Sequence, residues 1–264
     1  MSERIRISPP SPEQATRNLE LTRRQEWRQN FLVPIYVMWT SNVPEAEAQA
    51  AKQGVIDTVK ASGQKREIIV FGSNPFNHSN QPFSSPDWYI DETIKRQALR
   101  RDAGFGPQVD VSEVTRLFYE EPYQEQPHWE VFIVNHDLNG KQDGKYINFV
   151  FGSTSPIFPA SIQSVTRLIG SVRPNDLKLA MVRRLLRHEV GHMFWLPSRS
   201  HNVEENLGRH CTSQICTMKQ GITIDAWAKQ TSQEENSGIY FCNDCLADFA
   251  RLQPRYKPLP ASNE

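Results

Sequence analysis

The segment His-Glu-Val-Gly-His at residues 188–192 carries the residue types of a hydrolytic zinc site. His188 and His192 are four residues apart, so on a helix their imidazoles project side by side and can bind one zinc ion. Glu189 is turned by about 100° on the same helix. Its carboxylate can therefore reach a water beside the metal but not the metal itself. The pattern predicts attack of water on a carbonyl, with Glu189 as the general base.

A zinc site with two histidines needs a third protein ligand. Two histidines lie downstream, His201 and His210, and the motif alone leaves both open. The acidic pairs at 204–205 and 234–235 are a further alternative. They are disfavoured because no helical repeat of the required kind surrounds them.

All four cysteines of the chain lie within one short window, at Cys211, Cys216, Cys242 and Cys245. Four cysteines are too few for a disulfide-dense scaffold of this length. Two close pairs beside a zinc motif favour a metal cluster over disulfides. Four thiolates would make a closed tetrahedral site with no position left for water.

Strand and helix patterns alternate along the chain. Short runs rich in aromatic and β-branched residues predict five strands, at 31–39, 66–72, 129–135, 146–151 and 160–168. Composition and helical periodicity predict four helices, at 44–61, 87–102, 110–120 and 175–195. This alternation favours an α/β or α+β layer structure.

The helix predicted at 175–195 must position the zinc motif. Its apolar residues share one broad face, and His188 and His192 lie at the border of that face. Arg183, Arg184 and Arg187 fall on the other side. We expect these arginines to form a solvated helix face.

The composition excludes several classes of function. The 264 residues contain 30 basic and 30 acidic side chains, so the formal net charge is zero. A nucleic-acid coat or a polybasic membrane anchor would need a cationic excess. No apolar run approaches the ~18 residues of a membrane span, and the polar N-terminal segment contains no signal-peptide core. We therefore expect a cytoplasmic protein with neither nucleic acid nor membrane as a partner.

The order of three motifs resembles the archaemetzincin family of zinc metallopeptidases, in the metzincin clan. HEVGH is followed by RHCTSQICTM at 209–218 and then by FCNDC at 241–245. Upstream, FVFG at 149–152 and SIQSVTRL at 161–168 resemble the family's penultimate strand and its substrate-facing edge strand. The resemblance covers about half of the chain, roughly residues 129–249.

The resemblance implies a role for each motif. The catalytic zinc would be held by His188, His192 and His210, with Glu189 as the general base. Met218 would form the methionine turn beneath the histidines. A second, structural zinc would be held by the four cysteines, Cys211, Cys216, Cys242 and Cys245. The implied activity is hydrolysis of peptide bonds in a peptide or protein substrate, with two zinc ions per chain.

The sequence departs from the family at the end of the zinc helix. Trp195 stands where the family has a glycine, and Ser198 stands where the strict spacing has the third histidine. About a dozen residues are inserted before His210, which keeps His201 as a competing ligand. A second hypothesis is therefore a catalytically inactive zinc module that binds a peptide or protein.

The expected architecture is one metallopeptidase-like domain over residues 1–264. Residues 1–30 would be an N-terminal extension. Residues 31–195 would form an N-terminal subdomain with a twisted mixed β-sheet and the active-site helix. Residues 196–264 would form a loop-rich C-terminal subdomain held together by the zinc-bound cysteines.

Overall fold

The computed structural model describes residues 12–74, 85–100, 108–120, 126–142, 145–155 and 157–260. The described helices are α1 (Pro12–Asn30), α2 (Glu45–Ser62), α3 (Pro86–Arg100), α4 (Val111–Glu120), α5 (Thr166–Ile169), α6 (Asn175–Met193), α7 (Ile224–Ser237) and α8 (Asn243–Leu252). The described strands are β1 (Ile35–Trp39), β2 (Ile68–Gly72), β3 (Val109–Asp110), β4 (Trp129–Val134), β5 (Leu138–Gln142), β6 (Lys145–Val150), β7 (Gly152–Ser155), β8 (Ala160–Ser164), β9 (Val203–Glu205) and β10 (Arg209–Cys211). The last two residues of the helix predicted at 87–102 lie outside the described residues.

The central sheet has five strands in the order β2-β1-β4-β8-β7. The first four are parallel, and β7 pairs antiparallel with β8. β4 is buried at every residue because side chains from both layers cover it. The predicted α/β fold with a mixed sheet is therefore confirmed.

The edge of this sheet differs from the sequence prediction. The segment at 161–168 was expected to be the substrate-facing edge strand, but β8 lies between β4 and β7. The edge strand is β7, whose short polar sequence Gly-Ser-Thr-Ser has little strand character. The strand predicted at 146–151 corresponds to β6, which pairs with β5 in a separate sheet of order β3-β5-β6.

Two apolar clusters cover the two faces of the central sheet. One joins alternate residues of β1 and β4 to α2, α6 and the C-terminal segment, and it includes Cys211, Cys216 and Cys245. The other joins the remaining residues of β4 and β8 to α3 and α4. Because successive strand side chains point to opposite faces, β1 and β4 contribute to both clusters.

Helix α6 buries its apolar face as the periodicity predicts. Its core-facing side chains are fully buried, namely Met181, Val182, Leu185, Leu186, Val190 and Met193. The C-terminal region that follows is loop-rich, with the hairpin β9–β10, α7, α8 and the cysteine cluster.

The predicted solvated arginine face of α6 is wrong. Arg184 and Arg187 are both 0% exposed. Arg184 Nε donates to Glu234 Oε1 at 2.7 Å, and Arg187 Nη2 lies 3.2 Å from Glu234 Oε2. Glu234 lies on helix α7, which packs against this side of α6. The polar sequence of α7 did not indicate that packing. Arg183 stays partly exposed, with its side chain 31% accessible and paired with Glu235.

Helix α1 packs against the rest of the fold through its C-terminal half. Trp129 Nε1 donates to Arg28 O at 2.8 Å, and Gln29 Nε2 donates to Ile157 O at 2.7 Å. These contacts tie α1 to the start of β4 and to the turn between β7 and β8. No helix in the described part of the chain is both long enough and apolar enough to cross a membrane.

Candidate functional site

The two histidines of α6 are held in one orientation by main-chain carbonyls. His188 Nδ1 lies 2.7 Å from Thr217 O, and His192 Nδ1 lies 2.8 Å from Leu196 O. A carbonyl only accepts hydrogen bonds, so each Nδ1 must carry the proton and donate it. The Nε2 atoms of the two rings are then unprotonated in the neutral form, and they face each other at 3.2 Å. Two facing lone pairs are suited to a shared cation.

His210 reaches the same place from the C-terminal region. It lies on β10, which pairs antiparallel with β9, so residues 203–211 fold into a hairpin that presents the ring. The His210 ring centroid lies 5.2 Å from the His188 centroid and 5.2 Å from that of His192. The three histidines each offer a ligand atom within 4.8 Å of the others. Among the described residues, the buried His210 Nδ1 has no hydrogen-bond partner.

The three imidazoles are buried in a way that favours their neutral forms. Burial, with the neighbouring His192 and His210, holds the pKa of His188 well below its usual range. Burial also lowers the pKa of His192 to about 4. Burial and the neighbouring His192 lower the pKa of His210 to about 3. Neutral imidazole is the form that ligates a metal, so the donor set fits zinc.

Glu189 faces the edge strand β7. Its Oε2 accepts a hydrogen bond from Thr154 Oγ1 at 2.6 Å. Burial raises the pKa of Glu189 to about 7, and the Thr154 hydrogen bond opposes that rise. A methyl group at Gly152 would lie 2.8 Å from Glu189 Cδ and 2.8 Å from Oε1. Glycine at this position therefore leaves the space that the carboxylate occupies.

Met218 lies beneath α6 and is fully buried. A Cβ at Gly191 would come within 2.4 Å of Met218 Sδ. The glycine of the HEVGH segment therefore allows the helix backbone to rest on the methionine sulfur. Met218 O also accepts a hydrogen bond from Cys211 N at 2.9 Å, which connects this floor to β10.

Trp195 makes the turn after α6 in a conformation that favours glycine. Its φ is 64°, which costs a residue with a side chain about 1–2 kcal/mol. Leu196 N donates to Gly191 O at 3.0 Å, and Leu196 O accepts from His192. The turn made by Trp195 therefore sets the geometry that orients His192.

The four cysteines form a second cluster, and none of them is in a disulfide. Each offers a sulfur within 4.8 Å of the others. The Cys211 and Cys242 sulfurs are 3.7 Å apart, and those of Cys216 and Cys245 are 3.6 Å apart. A tetrahedron with Zn–S bonds of about 2.3 Å has edges of about 3.8 Å. The sulfur positions therefore fit a zinc ion.

His201 lies beside the cysteine cluster and does not belong to the cluster of His188, His192 and His210. Its Nε2 is 3.8 Å from Cys245 Sγ, and its Nδ1 is 3.2 Å from Asp248 Oδ2. Asp248 is itself buried and accepts from Ser198 N at 2.7 Å. The segment between α6 and β10 therefore contacts α8 near its start, at Ser198 and His201. At its end, His210 lies in the histidine cluster.

The histidines and Glu189 open into a cleft of about 520 Å³. Its walls come from the β5–β6 hairpin, β7, the end of α6, the insertion and the segment after Met218. Apolar side chains dominate the wall, including Phe149, Phe151, Trp195, Ile222 and Trp227.

Sequence reasoning did not identify two parts of this site. Thr154 carries no local motif, and its contact with Glu189 follows from the pairing of β7 with β8. The ion pair of Arg184 with Glu234 supports the segment below His188, since Arg184 Nη2 donates to Lys219 O at 3.0 Å. Neither contact has a sequence signal, because both depend on packing between distant segments.

Comparison with known proteins agrees with this architecture. No protein-family model matches the chain, and no curated protein sequence matches it. Among solved structures, the chain is similar to archaemetzincin from Methanopyrus kandleri, with a TM-score of 0.53 and 16% sequence identity. The match covers 85% of this chain and 96% of that one. The fold is therefore archaemetzincin-like, and two groups of side chains among the described residues could hold metal ions.

Proposed function

We propose that this protein is a zinc-dependent metallopeptidase that hydrolyses peptide bonds. The observation that carries the proposal is the triad His188, His192 and His210 in one cleft with Glu189. In the proposed site the triad holds a catalytic zinc, and Cys211, Cys216, Cys242 and Cys245 hold a structural zinc. Each chain would then contain two zinc ions.

Zinc bound by the triad would activate a water and polarise the substrate carbonyl. The residues of the chain supply the remaining functions. Carbonyls of Thr217 and Leu196 keep Nε2 of His188 and His192 directed at the metal position. Glu189 accepts the proton of the attacking water and later delivers it to the leaving amine. A pKa near 7 is suited to both transfers at neutral pH.

The edge strand supports a peptide as the substrate. Among the described residues no strand pairs with the outer edge of β7, and three of its residues, Gly152, Ser153 and Thr154, line the cleft. An extended peptide could add to this edge through main-chain hydrogen bonds. Its scissile carbonyl would then lie beside Glu189 and the histidines.

The cysteine cluster would have a structural role. Cys211 directly follows His210 in β10, so a zinc ion on the four sulfurs fixes the strand that carries the third histidine. Met218 supports the same unit from below, as the methionine turn. The role is to position the catalytic ligands and not to take part in the reaction.

The test compares wild type with Glu189→Gln on a mixed peptide library analysed by mass spectrometry. The variant should keep two zinc ions per chain and lose activity by about 10²-fold or more. The exposed Glu67→Gln variant is the matched control and should keep full activity. A wild-type protein that holds two zinc ions and cleaves no peptide would favour the second hypothesis, a non-catalytic zinc module that binds peptides or proteins.

A further inference from the structure

Thr154 links the proposed general base to the interior of the sheet. Its Oγ1 lies 2.6 Å from Glu189 Oε2 and 2.8 Å from Ser161 Oγ. Ser161 in turn accepts a hydrogen bond from Gln163 Nε2. Ser161 is 1% exposed and Gln163 is 0% exposed. A chain of polar side chains thus runs from the buried centre of the sheet to the carboxylate.

The donors and acceptors fix a single direction for the hydrogen bonds that run from Gln163 to Glu189. The Gln163 amide donates to Ser161, and the carboxylate of Glu189 can only accept. Each hydroxyl has a single proton, so Ser161 donates to Thr154 and Thr154 donates to Glu189. Hydrogen bonds aligned in one direction polarise one another, and a bond to a carboxylate is among the stronger kinds.

The register of the strands explains why these residues meet. Thr154 is paired with Ser161, and Gly152 is paired with Gln163. Residues two apart on a strand point to the same face, so all four lie on the face beneath α6. Thr154 holds Oε2 of Glu189, while the missing side chain of Gly152 leaves space beside Oε1.

We propose that Thr154, supported by Ser161 and Gln163, is the positioning residue for Glu189 in the hydrolytic reaction. This inference rests on the proposed function. Thr154 fixes Oε2 and leaves Oε1 as the oxygen that accepts the proton of the attacking water. Since Thr154 also belongs to the edge strand, the strand that would bind the substrate backbone also sets the position of the base.

The experiment compares Thr154→Val, which removes the hydroxyl, with Thr154→Ser, which keeps it. We expect Thr154→Val to retain both zinc ions and a KM within about twofold of wild type. Its kcat should fall by about tenfold or more, the loss expected for one hydrogen bond to a charged group. Thr154→Ser should recover most of the kcat. Ser161→Ala should cost less than Thr154→Val, because the Thr154 hydroxyl remains.

Thr58→Val is the matched control, since Thr58 is a fully buried threonine that bonds a carbonyl of its own helix. It should leave kcat unchanged. Equal kcat for wild type and Thr154→Val would overturn the inference, and so would a Thr154→Ser variant as impaired as Thr154→Val.

Crystal structures of the zinc-loaded variants separate this inference from the proposed function. In Thr154→Val the Glu189 carboxylate should move from its wild-type position, and in Thr154→Ser it should not. If the wild type cleaves no peptide, the proposed function fails, and the position of Glu189 in these structures decides the inference alone. An unmoved carboxylate in Thr154→Val would refute the positioning role.

Discussion

His210 and Cys211 are consecutive residues of β10, yet they belong to two different clusters of potential metal ligands. Successive side chains of a strand point to opposite sides. His210 can therefore point into the histidine cluster while Cys211 points into the cysteine cluster. Cys211 N donates to Met218 O, which fixes the peptide unit between His210 and Cys211 against the floor of the histidine cluster. The two clusters are therefore mechanically connected.

The first prediction concerns that connection. Cys245→Ser removes one of four sulfurs, and we expect loss of the structural zinc. Structural zinc binding contributes many kcal/mol in small domains, so the thermal midpoint should fall by about 10 °C or more. The zinc content, measured by elemental mass spectrometry, should fall below one per chain because His210 loses its anchor. Ser213→Ala, a change between Cys211 and Cys216 that removes no sulfur, is the control and should leave both quantities unchanged. A Cys245→Ser protein that keeps one tightly bound zinc would show that the clusters are independent.

The second prediction separates the two histidines of the C-terminal region. His210→Ala should lower the zinc content from about two to about one per chain, since it removes a ligand of the histidine cluster. His201→Ala should keep the zinc of the histidine cluster, because His201 contacts Cys245 and Asp248 instead. Zinc content and competition with a chelator measure both effects. The reverse pattern would make His201 the third ligand.

The third prediction tests the contact between Gly191 and Met218. Alanine has the higher helix propensity by about 1 kcal/mol, but its Cβ would meet Met218 Sδ at 2.4 Å. Overpacking of this kind costs about 1–3 kcal/mol, so Gly191→Ala should lower the free energy of unfolding, measured with urea. Gly170→Ala, whose Cβ would meet only Thr166 O at 3.4 Å, is the control. In a Met218→Ala background the same Gly191→Ala change should cost less, and an unchanged cost would reject the steric explanation.

The fourth prediction concerns the buried ion pairs between α6 and α7. Glu234→Gln leaves Arg184 and Arg187 without their buried carboxylate, and breaking a buried pair costs about 3–5 kcal/mol. Glu235→Gln should cost much less, because the Glu235 side chain is 29% exposed. Chemical denaturation measures the free energy of unfolding of both variants. Similar losses for the two variants would mean that the buried pair has no special role.

The sequence contained enough information to locate the elements that carry the chemistry. The helix that carries HEVGH was predicted at 175–195 and is observed as α6, Asn175–Met193, because its apolar residues repeat at helical spacing. The four cysteines also form one cluster. Their spacing in the sequence keeps the two members of each pair close, and the fold brings the two pairs together.

Local sequence patterns could not predict the contacts that depend on the order of the strands in the sheet. The sequence at 146–151 alternates as a strand, but nothing in it distinguishes pairing with β5 from pairing with β8. The true edge strand is a run of glycine, serine and threonine that resembles a loop. The partners of Arg184 and Arg187 were hidden for the same reason, because Glu234 lies on a polar helix about 50 residues away.

Within the described part of the chain the outer edge of β7 pairs with no strand, and this bears on how copies of the protein behave at high concentration. An exposed strand edge offers a template for pairing with another molecule and is a common route to aggregation. β7 is only four residues long, with no large apolar side chain. A short polar edge is a poor template for a second copy. The strand can therefore remain open without promoting stacking of one molecule on another.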